Sequence, residues 1–309
     1  MFFMTKQELI TAIETLKKET DTVVLAHTYQ NPEIVDIADI TGDSFKLSAA
    51  AKELPNKRVI LCGVGFMAET VKILSPEKQV ILASPDAKCP MAHQIDPMDV
   101  MSFKQQHPDV AVCCYVNTTA PLKAVSDVCV TSSSAVNIVA ALPNKEILFI
   151  PDKNLGSYVA KCLPEKHVIT WNGYCPVHDQ VTVEDILAVK EQNPGVPIAI
   201  HPECKREVVE LCDLIGSTAD IIKFAKSHKG DVVIATEKGV AEYLNLHETG
   251  EKKYIQACGD ILVCPDMKMT TLEDVYAALK GEGGKEIALE PDILEGAKSA
   301  INKMLELGN

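Results

Sequence analysis

The dipeptide Cys-Pro occurs three times in this 309-residue chain, at Cys89, Cys175 and Cys264, at intervals of 86 and 89 residues. Near-equal spacing of one uncommon dipeptide marks an internal repeat, and a repeat constrains a fold more than any other feature of a sequence. A shift of 88 residues lays "TVVLAHTYQ" (22–30) on "VAVCCYVNT" (110–118), and a further 86 brings "VPIAIHPEC" (196–204) into the same frame. His27, Tyr115 and His201 then coincide, as do Tyr29, Asn117 and Glu203. The register continues through Asp39, Asp127 and Asp213, and through Ser44, Ser132 and Thr218. "VILCGVGFMAETV" meets "ILFIPDKNLGSYV" and then "DVVIATEKGVAEY" after a small deletion.

Each copy begins with a short β-branched run, too short for a helix, and continues with amphipathic segments that alternate with further apolar runs. Near-continuous apolar strands separated by helices imply parallel sheets covered on both faces. The expected fold class is α/β: three homologous three-layer α/β/α domains with small parallel sheets of about four strands, arranged around a pseudo-threefold axis. The boundaries read as 1–87 plus 271–309, 88–173 and 174–270. Thr182 with Asp185 and Thr271 with Asp274 resemble capping boxes that open the helices leading from one unit to the next. "TKQELITAIETLKKE" reads as the same connecting helix at the start, and 271–307 is expected to pack back on the first unit.

A net charge of −13 argues against nucleic acid as the main partner, because phosphate binding draws on a surplus of Lys and Arg. No apolar run approaches the ~18 residues of a membrane span, and "MFFMTKQELI" is too briefly apolar for a secretory signal. Eleven cysteines without an export signal read as cytoplasmic thiols with metal or catalytic roles rather than disulfides.

Ligands of open parallel α/β sheets bind outside the carboxyl ends of the strands. The first strand of each copy ends at His27, Tyr115 or His201, with Tyr29, Asn117 or Glu203 two residues on, where an extended chain points to the same side. Core positions would be apolar in all three copies; these are polar in all three. Ser44, Ser132 and Thr218 stand where helices begin. They are read both as ordinary N-caps and as seats for carboxylate or phosphate at the positive end of a helix. Met67, in a strand-end loop, is read as either pocket wall or core. The Cys-Pro trio closes equivalent loops, and soft thiolates brought together there would select zinc or an iron–sulfur cluster with one coordination position left open. Cys113 and Cys114 alternate on a buried strand and are read as core; Cys62, Cys129, Cys162, Cys204 and Cys212 are read as packing.

"AHTYQ" (26–30), "GDS" (42–44), "YVNTTA" (115–120), "WNGYCPVH" (171–178), "HPEC" (201–204) and "CPDMKMTTLE" (264–273) together resemble the quinolinate synthase family, over essentially the whole chain. The resemblance implies one [4Fe–4S] cluster held by Cys89, Cys175 and Cys264, with a non-cysteine-ligated iron facing the substrate. It implies condensation of iminoaspartate (iminosuccinate) with dihydroxyacetone phosphate to quinolinate, phosphate and water in NAD biosynthesis. Ser44, Ser132 and Thr218 would seat the anionic groups, and His27, Tyr115 and Asn117 would orient iminoaspartate. Tyr29, His201 and Glu203 are the expected proton relays, with Glu203 the general base. His178 is read as a substrate contact or as a loop-packing histidine. A labile imine leaves room for a transient partner, an L-aspartate-oxidising enzyme that supplies it. The C-x-x-C-x-x-C run of some members is absent here, since only Cys258 precedes Cys264. Two readings compete: a non-catalytic iron–sulfur or anion-binding protein on the same repeat, and a zinc hydrolase with an open tris-thiolate site.

Overall fold

The computed structural model describes residues 4–308, so the first three residues of the apolar start lie outside the described part. It contains three small sheets. In the first, β1 (Thr22–His27), β2 (Ile40–Gly42), β3 (Arg58–Cys62) and β4 (Gln79–Leu82) lie in the order β2-β1-β3-β4. In the second, β5 (Ala111–Tyr115), β6 (Val128–Val130), β7 (Glu146–Ile150) and β8 (His167–Thr170) lie in the order β6-β5-β7-β8. In the third, β9 (Ile198–Ile200), β10 (Leu214–Ile215), β11 (Val232–Ala235) and β12 (Tyr254–Gln256) repeat it as β10-β9-β11-β12. All pairs among these twelve strands are parallel. The one addition is β13 (Lys285–Glu286), which joins the free edge of β4 in antiparallel sense.

The repeat seen in the sequence is therefore a repeat of register. Ala26 pairs with Cys62, Cys114 with Ile150 and Ile200 with Ala235, the same rung in each sheet. The three aligned aspartates explain part of this. Asp39 Oδ2 accepts from Val24 N at 2.8 Å, Asp127 Oδ2 from Val112 N at 2.7 Å and Asp213 Oδ2 from Ile198 N at 2.8 Å. In each copy the aspartate N–H returns a bond to the same residue's carbonyl. A carboxylate thus holds the first strand of every sheet at one place along its neighbour, with charge-assisted strength.

The chain divides into two compact units. One holds residues through Cys89 together with Cys264–Leu294 and contains the first sheet; the other holds Pro90–Val263 with the chain from Glu295 on and contains the second and third sheets. In the first unit the helices Lys6–Glu19 and Leu272–Lys280 pack Leu9, Ile13, Leu272, Val275 and Leu279 on Val24, Ile60 and Ile81 of the sheet. Both helices open with capping boxes, Thr5–Glu8 and Thr271–Asp274, and Val183–Gln192 in the second unit opens with Thr182–Asp185. The sequence grouped 271–309 as one piece, whereas residues 295–309 group with the second unit. The reason is a close approach at Gly296, where a Cβ would stand 2.8 Å from the Ala124 carbonyl oxygen. Among the described residues no helix is long and apolar enough to cross a membrane.

Candidate active site

Three neighbouring loops of the second unit build the site. The Cys175 loop begins at Gly173, which pairs as an isolated parallel bridge with Asp152 and accepts from Lys153 N at 2.8 Å. A Cβ at Gly173 would lie 2.5 Å from the Pro151 carbonyl oxygen and 2.9 Å from Gln94 Oε1, so only glycine fits. Gln94 Oε1 then accepts from Tyr174 N at 2.7 Å. The chain turns at once, with Asp179 N donating to the Cys175 carbonyl at 2.9 Å. This turn sets His178 beside Cys175, with Sγ and Nδ1 3.2 Å apart.

The second loop follows β9. His201 N donates to Ala235 O, continuing the sheet for one residue, and Cys204 N closes a turn onto His201 O. The turn presents Glu203, whose Oε2 lies 2.9 Å from His178 Nδ1. From the second sheet, the hydroxyl of Tyr115 at the end of β5 also hydrogen-bonds this carboxylate. The third loop, after β11, supplies Thr236, whose Oγ1 is 3.0 Å from His178 Nε2. His178, His201 and Glu203 are 2%, 3% and 4% exposed, so water does little to screen them.

The charges of the site follow. Burial lowers the pKa of His201 to about 4, outweighing the opposing pull of Glu203. His201 is neutral near pH 7, and its Nδ1, 3.4 Å from Glu203 N, is on the accepting side of that contact. The 3.7 Å separation of this Nδ1 from Glu203 Oε2 is consequently no ion pair. Burial works against the charge on Glu203, yet the surrounding His201, His178 and Tyr115 hold its carboxyl below the usual carboxylate range. With His201 neutral, His178 and Tyr115 carry that stabilisation. Asp152 lies nearby, fully buried, with Oδ1 capping the helix Lys153–Cys162 through Asn154 N and Leu155 N. Burial and the charge of Glu203 push its carboxyl well above the usual range.

The structure gathers Tyr115, Cys175, His178, His201 and Glu203 in this unit. Thr218 is the first residue of the helix Thr218–Ser227 and Ser132 precedes the helix Ala135–Ala141. In the first unit, His27 and Tyr29 lie ring edge to ring face at 4.4 Å, and Tyr29 N donates to His27 Nδ1 at 3.1 Å. Ser44 opens the helix Ser44–Glu53. Neither Ser44 nor Thr218 is the N-cap: Asp43 and Ser217 take that role, bonding Lys46 N and Asp220 N. Met67 is buried, with its sulfur over Gly63, as a packing residue would be. Asn117 follows β5 and is half-buried.

None of the eleven cysteines is in a disulfide. Cys89, Cys175 and Cys264 are each half-buried. In the first unit Lys88 N donates to Asp266 Oδ1 at 3.1 Å, so the Cys89 and Cys264 loops adjoin. Cys62, Cys113, Cys114, Cys129 and Cys204 are buried as expected, but Cys162 at the end of its helix is exposed rather than packed. Sequence reasoning passed over Thr236, Asp152, Asn154 and Lys123. Asn154 Nδ2 donates to Glu203 O at 2.9 Å and Asp179 Oδ1 at 2.8 Å, tying the Glu203 loop to the Cys175 turn. Lys123 is fully buried and its amine binds the Thr118 carbonyl in the loop that carries Asn117. Their signal was available in the repeat, because Lys123 falls where Val35 stands in the first copy and Asn154 where Phe66 stands.

A buried carboxylate and imidazoles beside a thiol, at the carboxyl ends of parallel strands, define an α/β protein with a group of donors, Cys175, His178 and Glu203, that could hold a metal ion. The family model described as Quinolinate synthetase A protein matches residues 11–306. Proteins named quinolinate synthase from Caldicellulosiruptor saccharolyticus and Clostridioides difficile are 47% and 44% identical over 96% and 97% of this chain, and 97% and 98% of their own lengths. One from a Sulfurihydrogenibium species is 43% identical over 98% of this chain and 99% of its own. The chain belongs to the quinolinate synthetase A family.

Proposed function

We propose that this chain is an enzyme that forms quinolinate for NAD biosynthesis, condensing iminoaspartate with dihydroxyacetone phosphate and releasing phosphate and two waters. The observation that carries the reading is Glu203: an ionised carboxylate buried among His178, His201 and Tyr115, at a strand end, in a chain of this family. Such a group is poised to take a proton from a carbon or nitrogen acid once substrate excludes water. With Nδ1 on the accepting side, the proton of the neutral His201 ring is on Nε2, which could donate to a substrate oxygen. In the same reading Tyr29 is a further proton relay, His27, Tyr115 and Asn117 orient iminoaspartate, and Ser44, Ser132 and Thr218 receive its carboxylates or the phosphate. Thr218 and Ser44 each open a helix whose side-chain cap is the residue before, Ser217 or Asp43.

Cys89, Cys175 and Cys264 would hold the [4Fe–4S] cluster. The donor set fits: three half-buried cysteines outside any disulfide, two of them on adjoining loops of one unit. The cluster, when bound, supplies a Lewis acid at the iron that lacks a cysteine. Three α/β/α domains with limits at 1–87 plus 271–309, 88–173 and 174–270, and a cytoplasmic location for so many free thiols, belong to the same proposal.

A second reading rests on one observation. Ligand atoms of Cys175, His178 and Glu203 lie within 4.8 Å of one another, a spacing that could hold a single metal ion such as zinc. The test is an anaerobic quinolinate-formation assay with metal and sulfide analysis. About four irons and matching sulfide per chain, with turnover, is the expected result. Active zinc-loaded protein without sulfide would reject the cluster. Cys175→Ala should abolish the cluster and the exposed Cys162→Ala should keep it; equal loss in both would mean the thiols are misassigned.

A further inference from the structure

The ring of His178 has two nitrogens, and both are engaged by groups from other parts of the chain. Nδ1 faces the Glu203 carboxylate at 2.9 Å and Cys175 Sγ at 3.2 Å. Nε2 faces Thr236 Oγ1 at 3.0 Å. A carboxylate can only accept, so Nδ1 must carry a proton for this contact to be favourable. In the neutral ring Nε2 is then bare, and the Thr236 hydroxyl can donate to it; in the charged ring the same hydroxyl can accept. No apolar side chain serves either state.

We propose that Thr236 is a positioning residue, which acts through His178 by holding its ring in the orientation that serves Glu203 and Cys175. This rests on the functional reading above for what that ring is needed for, and on geometry alone for how it is held. Two features support it. Thr236 is fully buried just after β11, where water does not compete for the contact of its hydroxyl with His178 Nε2. The equivalent residues of the other copies are Gly63 and Pro151, which have no side-chain hydroxyl, and the histidine contact is confined to the third copy. A metal-ligand loop whose histidine is oriented through its far nitrogen follows a general pattern, in which loss of the outer partner costs about 10- to 100-fold in activity or affinity.

The test uses anaerobically prepared holoenzyme with Thr236→Val, which keeps the shape and removes the hydroxyl, and Thr236→Ser, which restores it. In Thr236→Val, kcat for quinolinate formation should fall about 10- to 100-fold. KM should stay close to that of the parent, and Thr236→Ser should recover most of the loss. Histidine labelled with 15N, with the His178 resonances assigned by their absence in His178→Gln, should show the Nε2 resonance shifting in Thr236→Val, where its hydrogen-bond partner is gone, and returning in Thr236→Ser. Unchanged nitrogen resonances in Thr236→Val, or equal losses of kcat in the two variants, would overturn the proposal. A parent protein that forms no quinolinate would refute the functional reading instead, and the nitrogen resonances would still decide the role of Thr236.

Discussion

The carboxyl ends of β1 and β9 are built on one backbone plan and carry different chemistry. At both, a histidine Nδ1 faces the main-chain N–H two residues on, Tyr29 N in one case and Glu203 N in the other. At the end of β1 the second residue is Tyr29, whose ring meets His27 edge to face. At the end of β9 it is Glu203, a buried carboxylate that reaches out of its own sheet to His178 and Tyr115. The repeat preserved the frame and the histidine, and varied the residues around it, Tyr29 against Glu203 among them. What the difference teaches is that an ionisable group at this position needs partners supplied from outside its own sheet, which Glu203 has in the Cys175 loop and in Tyr115.

The sharpest way to break this comparison is to neutralise the two ends in turn. Glu203→Gln removes the charge that His178 Nδ1 faces and, on the proposed role, should lower kcat by about 10²- to 10⁴-fold while iron content stays at the parental level. Tyr29→Phe keeps the ring contact with His27 and should cost less. Equal losses in anaerobic assays of the two variants would mean that the ends of β1 and β9 are not functionally distinct.

Much of this contrast was legible in the sequence. The alignment of His27 with His201 and of Tyr29 with Glu203 is a matter of spacing, and strand register preserved it because parallel pairing repeats residue by residue. The burial of Cys113 and Cys114 followed from a fully covered strand. Other features could not be read. The contact of Glu203 with His178 joins loops 25 residues apart, and no local periodicity encodes it. The caps at Asp43 and Ser217 were displaced by one residue from the aligned hydroxyls, because the last extended residue, not the first helical one, does the capping. The segment "CKREVVELCDLI" has helical periodicity, yet only Arg206–Val209 is helical, followed by turns that bring Asp213 to its place beside Ile198. Pairing of β13 with β4 and the placement of 295–309 arise from tertiary contact alone.

A second, smaller effect tests the neutrality of His201. Its pKa is about 4 in the folded protein against 6.5 for an ordinary histidine. Between those values the unfolded chain binds the proton and the folded chain does not, so stability is retained above about 6.5 and falls as the pH drops towards 4. At roughly 1.4 kcal/mol per pH unit the loss is at most about 3 kcal/mol. His201→Asn keeps an acceptor for Glu203 N and should flatten this part of the curve of urea midpoint against pH. A variant whose curve parallels that of the parent would show that folding does not lower the pKa of His201, and that the two strand ends differ in some other way.

The smallest effects should appear where the copies are most alike. Each of Asp39, Asp127 and Asp213 holds the first strand of its sheet, but their surroundings differ. Asp39 also pairs at 2.8 Å with the buried Lys17, and Asp127 at 2.7 Å with the half-exposed Lys104. Asp213 is exposed and makes no ion pair among the described residues. Replacement by Asn keeps an acceptor for the strand N–H and removes the charge, so the cost is the charge-assisted part of one hydrogen bond, about 1 kcal/mol, plus whatever the lysine loses. Lys17 is the more buried cation and suffers more from losing a counter-charge, although Glu14 Oε1 and the Ile37 carbonyl still bind it. Destabilisation measured by urea unfolding should therefore run Asp39→Asn, then Asp127→Asn, then Asp213→Asn. The reverse order would mean that the strand bond alone, not the lysine, decides the cost, and that the three copies are held together by one interaction of equal weight.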